Sequence, residues 1–290
     1  MIVEPCSDNF VAKITDVDFR QPLNSEAVNE LRALMDRYAV LCFSDQFLTQ
    51  TELRDLAANF GPLVGALTSR FTNSIQSRME YAEVNDVSNV DADGNIAAKT
   101  HSQSLLNLGN QNWHIDVSWG EISWGYSLLN AVATTSWGGE TQFADLRAAY
   151  EALDERTANE VADLVAEHFA LHTRILLSQA DLTDEQMNAY PPVHRPLIYK
   201  HPSSGRTLLF VSGIIQEIKG MSVPEGRMFA RELVEHATQP QFVHTHSWKP
   251  GDLLFWDNQA VMHRGRRFPL DERREMRRVA TLNGYRAMVS

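Results

Sequence analysis

The stretch Asp252-Leu253-Leu254-Phe255-Trp256-Asp257-Asn258-Gln259-Ala260-Val261-Met262-His263-Arg264-Gly265 decides the fold. Asp252 to Trp256, an apolar run after its first residue, reads as a β-strand. A strand-like run precedes it, Phe242 to Trp248, and another follows it, Arg277 to Leu282. The C-terminal part of the chain is therefore expected to close a β structure made of short strands.

Further upstream the pattern changes. Ser25 reads as the N-cap of a helix with Val28, Leu31, Leu34 and Met35 at helical spacing. Val40 to Phe43 reads as a buried strand. Thr51 is the expected cap of a second amphipathic helix, with Leu53, Leu56 and Phe60 on one face and Gly61-Pro62 as its stop. From Gly65 to Gly109 the periodicity weakens. Glu80 to Val84 is strand-like, Asp91-Ala92-Asp93-Gly94-Asn95 reads as a turn between strands, and Gln103 to Gln111 has no period. A long irregular stretch in a folded chain is often a lid or binding loop, and an active-site lid is expected within 65–110.

Ser127 to Thr135 reads as a strand and Gly138-Gly139 as a turn. Leu146 to Leu153 and Ala158 to Phe169 read as helices. Leu197 to Lys200 and Leu208 to Val211 read as a hairpin around Ser203-Ser204-Gly205, and Glu225 to Thr238 as an amphipathic helix. Helices come first, then many short strands with a helical insert. That order predicts an α+β protein with an antiparallel β-sandwich or jelly-roll core and flanking helices. A length of 290 residues suits one domain, 1–290, with a sizeable core.

The formal net charge of -11 argues against nucleic acid or anionic lipid as partner. An anionic substrate would have to be held by a few local arginines. No stretch approaches the ~20 apolar residues of a membrane span. The start Met1-Ile2-Val3-Glu4-Pro5 lacks a basic region and an apolar run, so a cytoplasmic protein is expected. Cys6 and Cys42 make no disulfide framework, and Cys42 in its apolar run reads as a buried free thiol.

The sharpest local feature is Trp113-His114-Ile115-Asp116. In an extended chain residues two apart share a face, so His114 and Asp116 can reach one metal ion together. An imidazole and a carboxylate suit a borderline ion such as Fe(2+). His263, after the strand that ends in Trp256, is the candidate third ligand. Two histidines and one carboxylate leave three positions open, enough for a bidentate oxoacid and O2. His-x-Asp alone is common by chance, and its weight comes from Arg273-Arg274-Glu275-Met276-Arg277-Arg278 downstream. Arg274 and Arg278 share a strand face. Arg274 can grip a carboxylate with two parallel hydrogen bonds, as 2-oxoglutarate would offer.

Other constellations are weaker. His244-Thr245-His246 places two histidines on one strand face, but no acidic or thiol third ligand is apparent beside them. His168 and His172 lie four apart on the expected helix, without the glutamate that zinc proteases carry after the first histidine. Arg264, Arg266 and Arg267 form a short basic run that reads as ion-paired.

Taken in order, His114-x-Asp116, Gly139-Glu140-Thr141, Trp256-Asp257-Asn258, His263 and Arg274-x-x-x-Arg278 resemble the taurine dioxygenase / 2,4-dichlorophenoxyacetate dioxygenase family. The resemblance runs over roughly residues 8 to 284. Asp145 to Tyr150 and His263 to Arg267 look closest to the 2,4-dichlorophenoxyacetate branch. It implies a double-stranded β-helix core, Fe(2+) as cofactor, and 2-oxoglutarate and O2 as co-substrates, with succinate and CO2 released. It implies that Thr141 and Arg274 bind the C5 carboxylate of 2-oxoglutarate. Arg278 would face an acidic small-molecule substrate, and Ser118 would lie where the substrate pocket begins. The chemistry implied is hydroxylation of a small carboxylate, with an aryloxyalkanoate cleaved at its ether to a phenol and glyoxylate. A sulfonate such as taurine or a natural-product acid is the alternative. A homo-oligomer is common in the family. The resemblance is weaker from Gly65 to Asn110, where the pocket is shaped, and Trp119 and Trp124 crowd the segment after Asp116. A zinc hydrolase or a β-sandwich binder without a metal would have no use for Arg274 and Thr141.

Overall fold

Leu253–Asp257 sits in the middle of the largest sheet and is buried on both faces, as an apolar run flanked by two neighbours must be. A computed structural model of the chain describes residues 1–65, 78–98, 108–177, 183–282 and 284. In chain order its strands are β1 (Ile2–Pro5), β2 (Val11–Thr15), β3 (Val40–Phe43), β4 (Asn85–Asp86), β5 (Tyr126–Ala133), β6 (Thr141–Asp145), β7 (Val165–His168) and β8 (Val193–Pro196). They continue with β9 (Ile198–Lys200), β10 (Thr207–Leu209), β11 (Ile215–Ile218), β12 (Val243–His246), β13 (Leu253–Asp257), β14 (Val261–Gly265) and β15 (Glu275–Ala280). The helices are α1 (Ser25–Tyr38), α2 (Gln50–Ala58), α3 (Leu146–Glu151), α4 (Glu155–Val161), α5 (His172–Leu176), α6 (Asp184–Ala189) and α7 (Val223–Ala237).

The large sheet has the order β1-β2-β3-β13-β5-β15-β4. All its pairings are antiparallel except β2 with β3. Each of its two faces has a core. On one, Leu41, Phe43, Leu128, Leu253, Phe255 and Val279 pack on Leu31 and Met35 of α1 and on Leu53 and Leu56 of α2. On the other, Val40, Cys42, Leu129, Leu254, Trp256 and Met276 pack on Phe143, Ala144, Val261 and Met262 of a smaller antiparallel sheet, β12-β6-β14. The alternation along each strand assigns these faces, so the two cores follow from the period of two.

Register sets opposing rows inside this sandwich. In the large sheet Cys42 pairs with Leu254, Leu254 with Leu129, and Leu129 with Arg278. In the small sheet His244 pairs with Phe143, and Phe143 with His263. One interior layer therefore carries polar groups at both ends and leucines and a phenylalanine between them.

Several boundaries differ from the sequence reading. Helix α1 is capped by Asn24, whose side chain accepts from Ala27 N, rather than by Ser25. Helix α2 is capped by Thr49, not Thr51, because Thr49 and Glu52 make a reciprocal capping box. The helix expected over Ala158 to Phe169 stops at Val161, and Val165–His168 is a strand between β8 and β11. There Ala166 and His168 are buried and alternate with half-buried neighbours, so cross-strand pairing decides over local propensity. Glu80 to Val84 is a turn, with the short strand just after it at Asn85–Asp86. The Asp91 to Asn95 turn forms as expected, bridged by Val90 and Ile96. Positions 66–77 and 99–107 of the expected lid lie outside the described residues. Among the described residues no helix is long and apolar enough to cross a membrane.

Candidate metal centre and co-substrate pocket

The chain segment at His114 adds to the free side of β14 by one antiparallel bridge. His114 N donates to His263 O at 3.0 Å, and His263 N donates to His114 O at 2.8 Å. In this extended segment Ile115 enters the apolar core, which turns His114 and Asp116 to the opposite side. His114 Nε2 lies 3.8 Å from Asp116 Oδ1, and His263 Nε2 lies 3.6 Å from Asp116 Oδ2. One ligand atom from each of the three residues falls within 4.8 Å of the others.

Their electrostatics suit a cation. His114 Nδ1 is 2.7 Å from the Asn112 carbonyl, so Nδ1–H donates there and Nε2 is the ring nitrogen turned toward Asp116. Burial, with His114 beside it, pushes His263 down to about 3, which makes it a neutral imidazole. Burial would raise the Asp116 carboxyl, but Arg278, His263 and His114 outweigh it and hold it below the ordinary carboxylate range. Asn258 clamps the Asp116 backbone from both sides, accepting from Asp116 N at 3.0 Å and donating to Asp116 O at 2.7 Å.

A cleft opens beside this cluster. His114, His263, Thr141, Arg274 and Arg278 line it together, with Trp256 and Phe268 among its apolar wall. Arg274 is 8% exposed, and no carboxylate pairs with it among the described residues. Its Nη2 donates to Gly139 O at 3.1 Å, and its guanidinium lies 5.2 Å from the Phe268 ring centroid. Burial lowers it to about 10, so it remains cationic at neutral pH. Gly139 has φ +71, and a Cβ there would stand 3.0 Å from Arg274 Nε, so glycine meets both demands of this turn. Thr141 is buried, and its hydroxyl accepts from Trp248 Nε1 at 3.0 Å. Arg278 Nη1 lies 3.0 Å from both Asp116 oxygens, its guanidinium covers Trp124, and its buried Nε has no acceptor.

Donor chemistry gives the fit. Two imidazoles and one carboxylate, with no thiolate, match a borderline ion of the Fe(2+) type. A buried, uncompensated guanidinium next to them matches a carboxylate-bearing co-substrate.

The structure brings six of the seven expected site residues to one place and sets Ser118 apart from the lining of this cleft. Ser118 is fully buried, its hydroxyl is 2.9 Å from His168 Nδ1, and it does not line the cleft. The reason is Val117, whose φ of +51 reverses the chain straight after Asp116 and drives Ser118 into the core. His168 is not a helical partner of His172. It is a buried strand residue that burial pushes down to about 3. Arg264 is held by Gln142 Oε1 at 2.8 Å and by the face of Trp113 rather than by a carboxylate. His244 and His246 do gain a third neighbour with ligand character, Cys42. Asn258 was part of the ordered motif without a role, and Asn112 and Trp248 carried no signal at all.

Comparison with known proteins follows this geometry. The family described as Taurine catabolism dioxygenase TauD, TfdA family matches residues 3–280. An alpha-ketoglutarate-dependent 2,4-dichlorophenoxyacetate dioxygenase of Cupriavidus pinatubonensis is 44% identical over 283 residues, covering 98% of each chain. An (S)-phenoxypropionate/alpha-ketoglutarate-dioxygenase of Sphingobium herbicidovorans is 30% identical, over 94% of this chain and 92% of the relative. The crystal structure of AAD-2 in complex with Mn(II) and N-oxalylglycine superposes with a TM-score of 0.94 at 41% identity, over 99% of both chains.

Proposed function

The chain belongs to the TauD/TfdA family of dioxygenases, and from that premise we propose that it oxidises an aryloxyalkanoate or a similar aromatic acid. It is a 2-oxoglutarate-dependent enzyme that uses iron and O2. The observation that carries the co-substrate reading is Arg274, a buried guanidinium without a carboxylate partner among the described residues, in the same cleft as His114 and His263, and the substrate class is supported by the phenoxyalkanoate-named relatives. We further propose that the two facing sheets form one double-stranded β-helix domain, as the relatives' folds imply.

In this reading His114, Asp116 and His263 hold the ion. Bound there, Fe(2+) supplies O2 activation coupled to conversion of 2-oxoglutarate to succinate and CO2. The protein's own task is placement. Arg274 and Thr141 receive the C5 carboxylate of 2-oxoglutarate, the first by charge and the second by its hydroxyl. Asn258 fixes the Asp116 backbone and Asn112 fixes the His114 tautomer, so neither ligand turns freely. Arg278 steadies Asp116 through Nη1 and turns its remaining N–H groups to the substrate carboxylate. Trp256 and Phe268 keep the cleft wall dry, which strengthens each of these charge contacts. Hydroxylation at the carbon bearing the ether oxygen yields a hemiacetal, which falls apart to a phenol and glyoxylate.

The test is succinate release measured over aryloxyacetates, aryloxypropionates, cinnamates and sulfonates. Aryloxyalkanoates are expected to release succinate fastest and to yield a phenol, together with glyoxylate from the acetates and pyruvate from the 2-aryloxypropionates. A flat response over all four classes removes the substrate assignment, and preference for the sulfonates replaces it with the alternative.

A further inference from the structure

The interior layer that ends in Arg278 and His263 ends on its other side in a second set of ligand-type groups. Cys42 projects from β3 of the large sheet, and His244 and His246 project from β12 of the small one. Their ligand atoms lie within 4.8 Å of one another, the same closeness the His114–Asp116–His263 group shows. Among the described residues these are the two groups that meet it. Phe143 stands between His244 and His263 in the small sheet, and Leu254 and Leu129 stand between Cys42 and Arg278 in the large one. Two strand spacings in the small sheet, roughly 10 Å, and three in the large one, roughly 14 Å, thus separate the two ends of the layer, with apolar side chains as the wall.

We propose that Cys42, His244 and His246 form a second cation site, selective for a thiophilic divalent ion of the zinc class, which staples the edge of one sheet to the other. A thiolate with two imidazoles is a zinc-type donor set, whereas the first cluster has no sulfur and suits iron. Asp252 Oδ2 lies 3.0 Å from His246 Nε2 and also accepts from Lys249 N, so a fixed carboxylate orients that ring as outer partners of metal-bound histidines do. His244 and His246 are half-buried and Cys42 is buried, which leaves an approach from solvent on the histidine side. In a tetrahedral zinc site ligand atoms stand about 3.5 Å apart, so side-chain adjustment of about 1 Å closes the cluster. Binding exchanges the Cys42 S–H bond for an S–metal bond and releases the proton to solvent. Burial raises the free thiol well above the ordinary range, so without the ion Cys42 is a protonated, inert core residue.

The site stands apart from the ferrous reading, and the experiment keeps them apart. Apo-protein carrying His263→Ala is titrated with Co(II), followed by near-ultraviolet absorption for a thiolate-to-Co(II) band and then by Zn(II) displacement. One thiolate band that Zn(II) abolishes is expected. It should be lost in Cys42→Ser and in His246→Gln, and kept in Cys6→Ser. Zn(II) should raise Tm by about 5–10 °C at a hundredfold excess over Kd, and this shift should vanish with Cys42→Ser. Retained 2-oxoglutarate turnover by Cys42→Ser in the otherwise unaltered chain shows that this variant folds. Absence of the band, its survival in Cys42→Ser, or an equal Tm shift in that variant overturns the proposal.

Discussion

Arg147 and Arg274 are both buried guanidiniums on the same protein, and their surroundings differ in one respect. Arg147 donates from Nε and Nη2 to the two oxygens of Asp145 at 2.9 and 3.0 Å, and its other donors reach the carbonyls of Asn9, Arg37 and Tyr38. Among the described residues the Arg274 guanidinium has one carbonyl, Gly139 O, and an aromatic face. The first arginine is finished by the fold. The second has a charge that the fold leaves for something else, and it sits in the cleft that His114 and His263 also line. A buried charge costs several kcal/mol unless it is paired, so a guanidinium at a cleft with no carboxylate partner among the described residues supports the proposal that an anion binds there.

That contrast can be broken by substitution. Arg147→Met should lose about 3–5 kcal/mol of stability, because Asp145 stays behind in the core without its partner. Chemical denaturation checks this, and a loss below about 1 kcal/mol would show that Arg147 is no more structural than Arg274. Arg274→Met should leave Tm nearly unchanged but raise the KM for 2-oxoglutarate on the order of a hundredfold, the worth of a charge-assisted pair of about 2–3 kcal/mol. An unfolded Arg274→Met, or an unaltered KM, would put the two arginines in one class.

Asn258→Ala sharpens the comparison from the metal side. Its amide holds Asp116 in place without touching the ion, so Fe(II) affinity should fall about 10–100-fold with the ligand set intact. Equilibrium dialysis reads that directly, and unchanged affinity would make Asn258 a core residue only. The smallest effect belongs to Ser118→Ala, about 1 kcal/mol of stability from its lost bond to His168, with no change in substrate KM.

His168 adds a pH dependence of known sign. Its folded-state value is about 3 against an ordinary 6.5, driven first by burial and then by Arg195. Between those values the unfolded chain binds a proton that the folded chain refuses, so stability falls as pH drops through that window. Thermal melts should show this slope flattened in His168→Asn, and an equal slope in both proteins would assign acid sensitivity to other groups.

How much of this was legible depends on whether the signal was local. His114 and Asp116 followed from the period of two, and Arg274 and Arg278 from a spacing of four on one strand. His263 was a candidate from its place after the strand that ends in Trp256, and the ordered motif gave that candidate its weight. Ser118 was expected at the pocket only through the family resemblance, and the left-handed backbone of Val117 turns it to the buried side, a turn that no local sequence pattern announces. Val165–His168 was misread because its strand character comes from partners in β8 and β11, not from its own composition. The Cys42 neighbourhood of His244 and His246 was invisible for a similar reason, as about 200 residues of chain separate groups that the sandwich brings together.

In the function we propose, one cleft holds a ferrous ion on His114, Asp116 and His263 and the co-substrate on Arg274. Anaerobic addition of Fe(II) and 2-oxoglutarate should give a visible charge-transfer band in the unaltered protein, which needs both components. It should be lost in His263→Ala at any co-substrate level, and in Arg274→Met be regained only at much higher 2-oxoglutarate. No band in the unaltered protein, or an undiminished band in His263→Ala, would contradict the account.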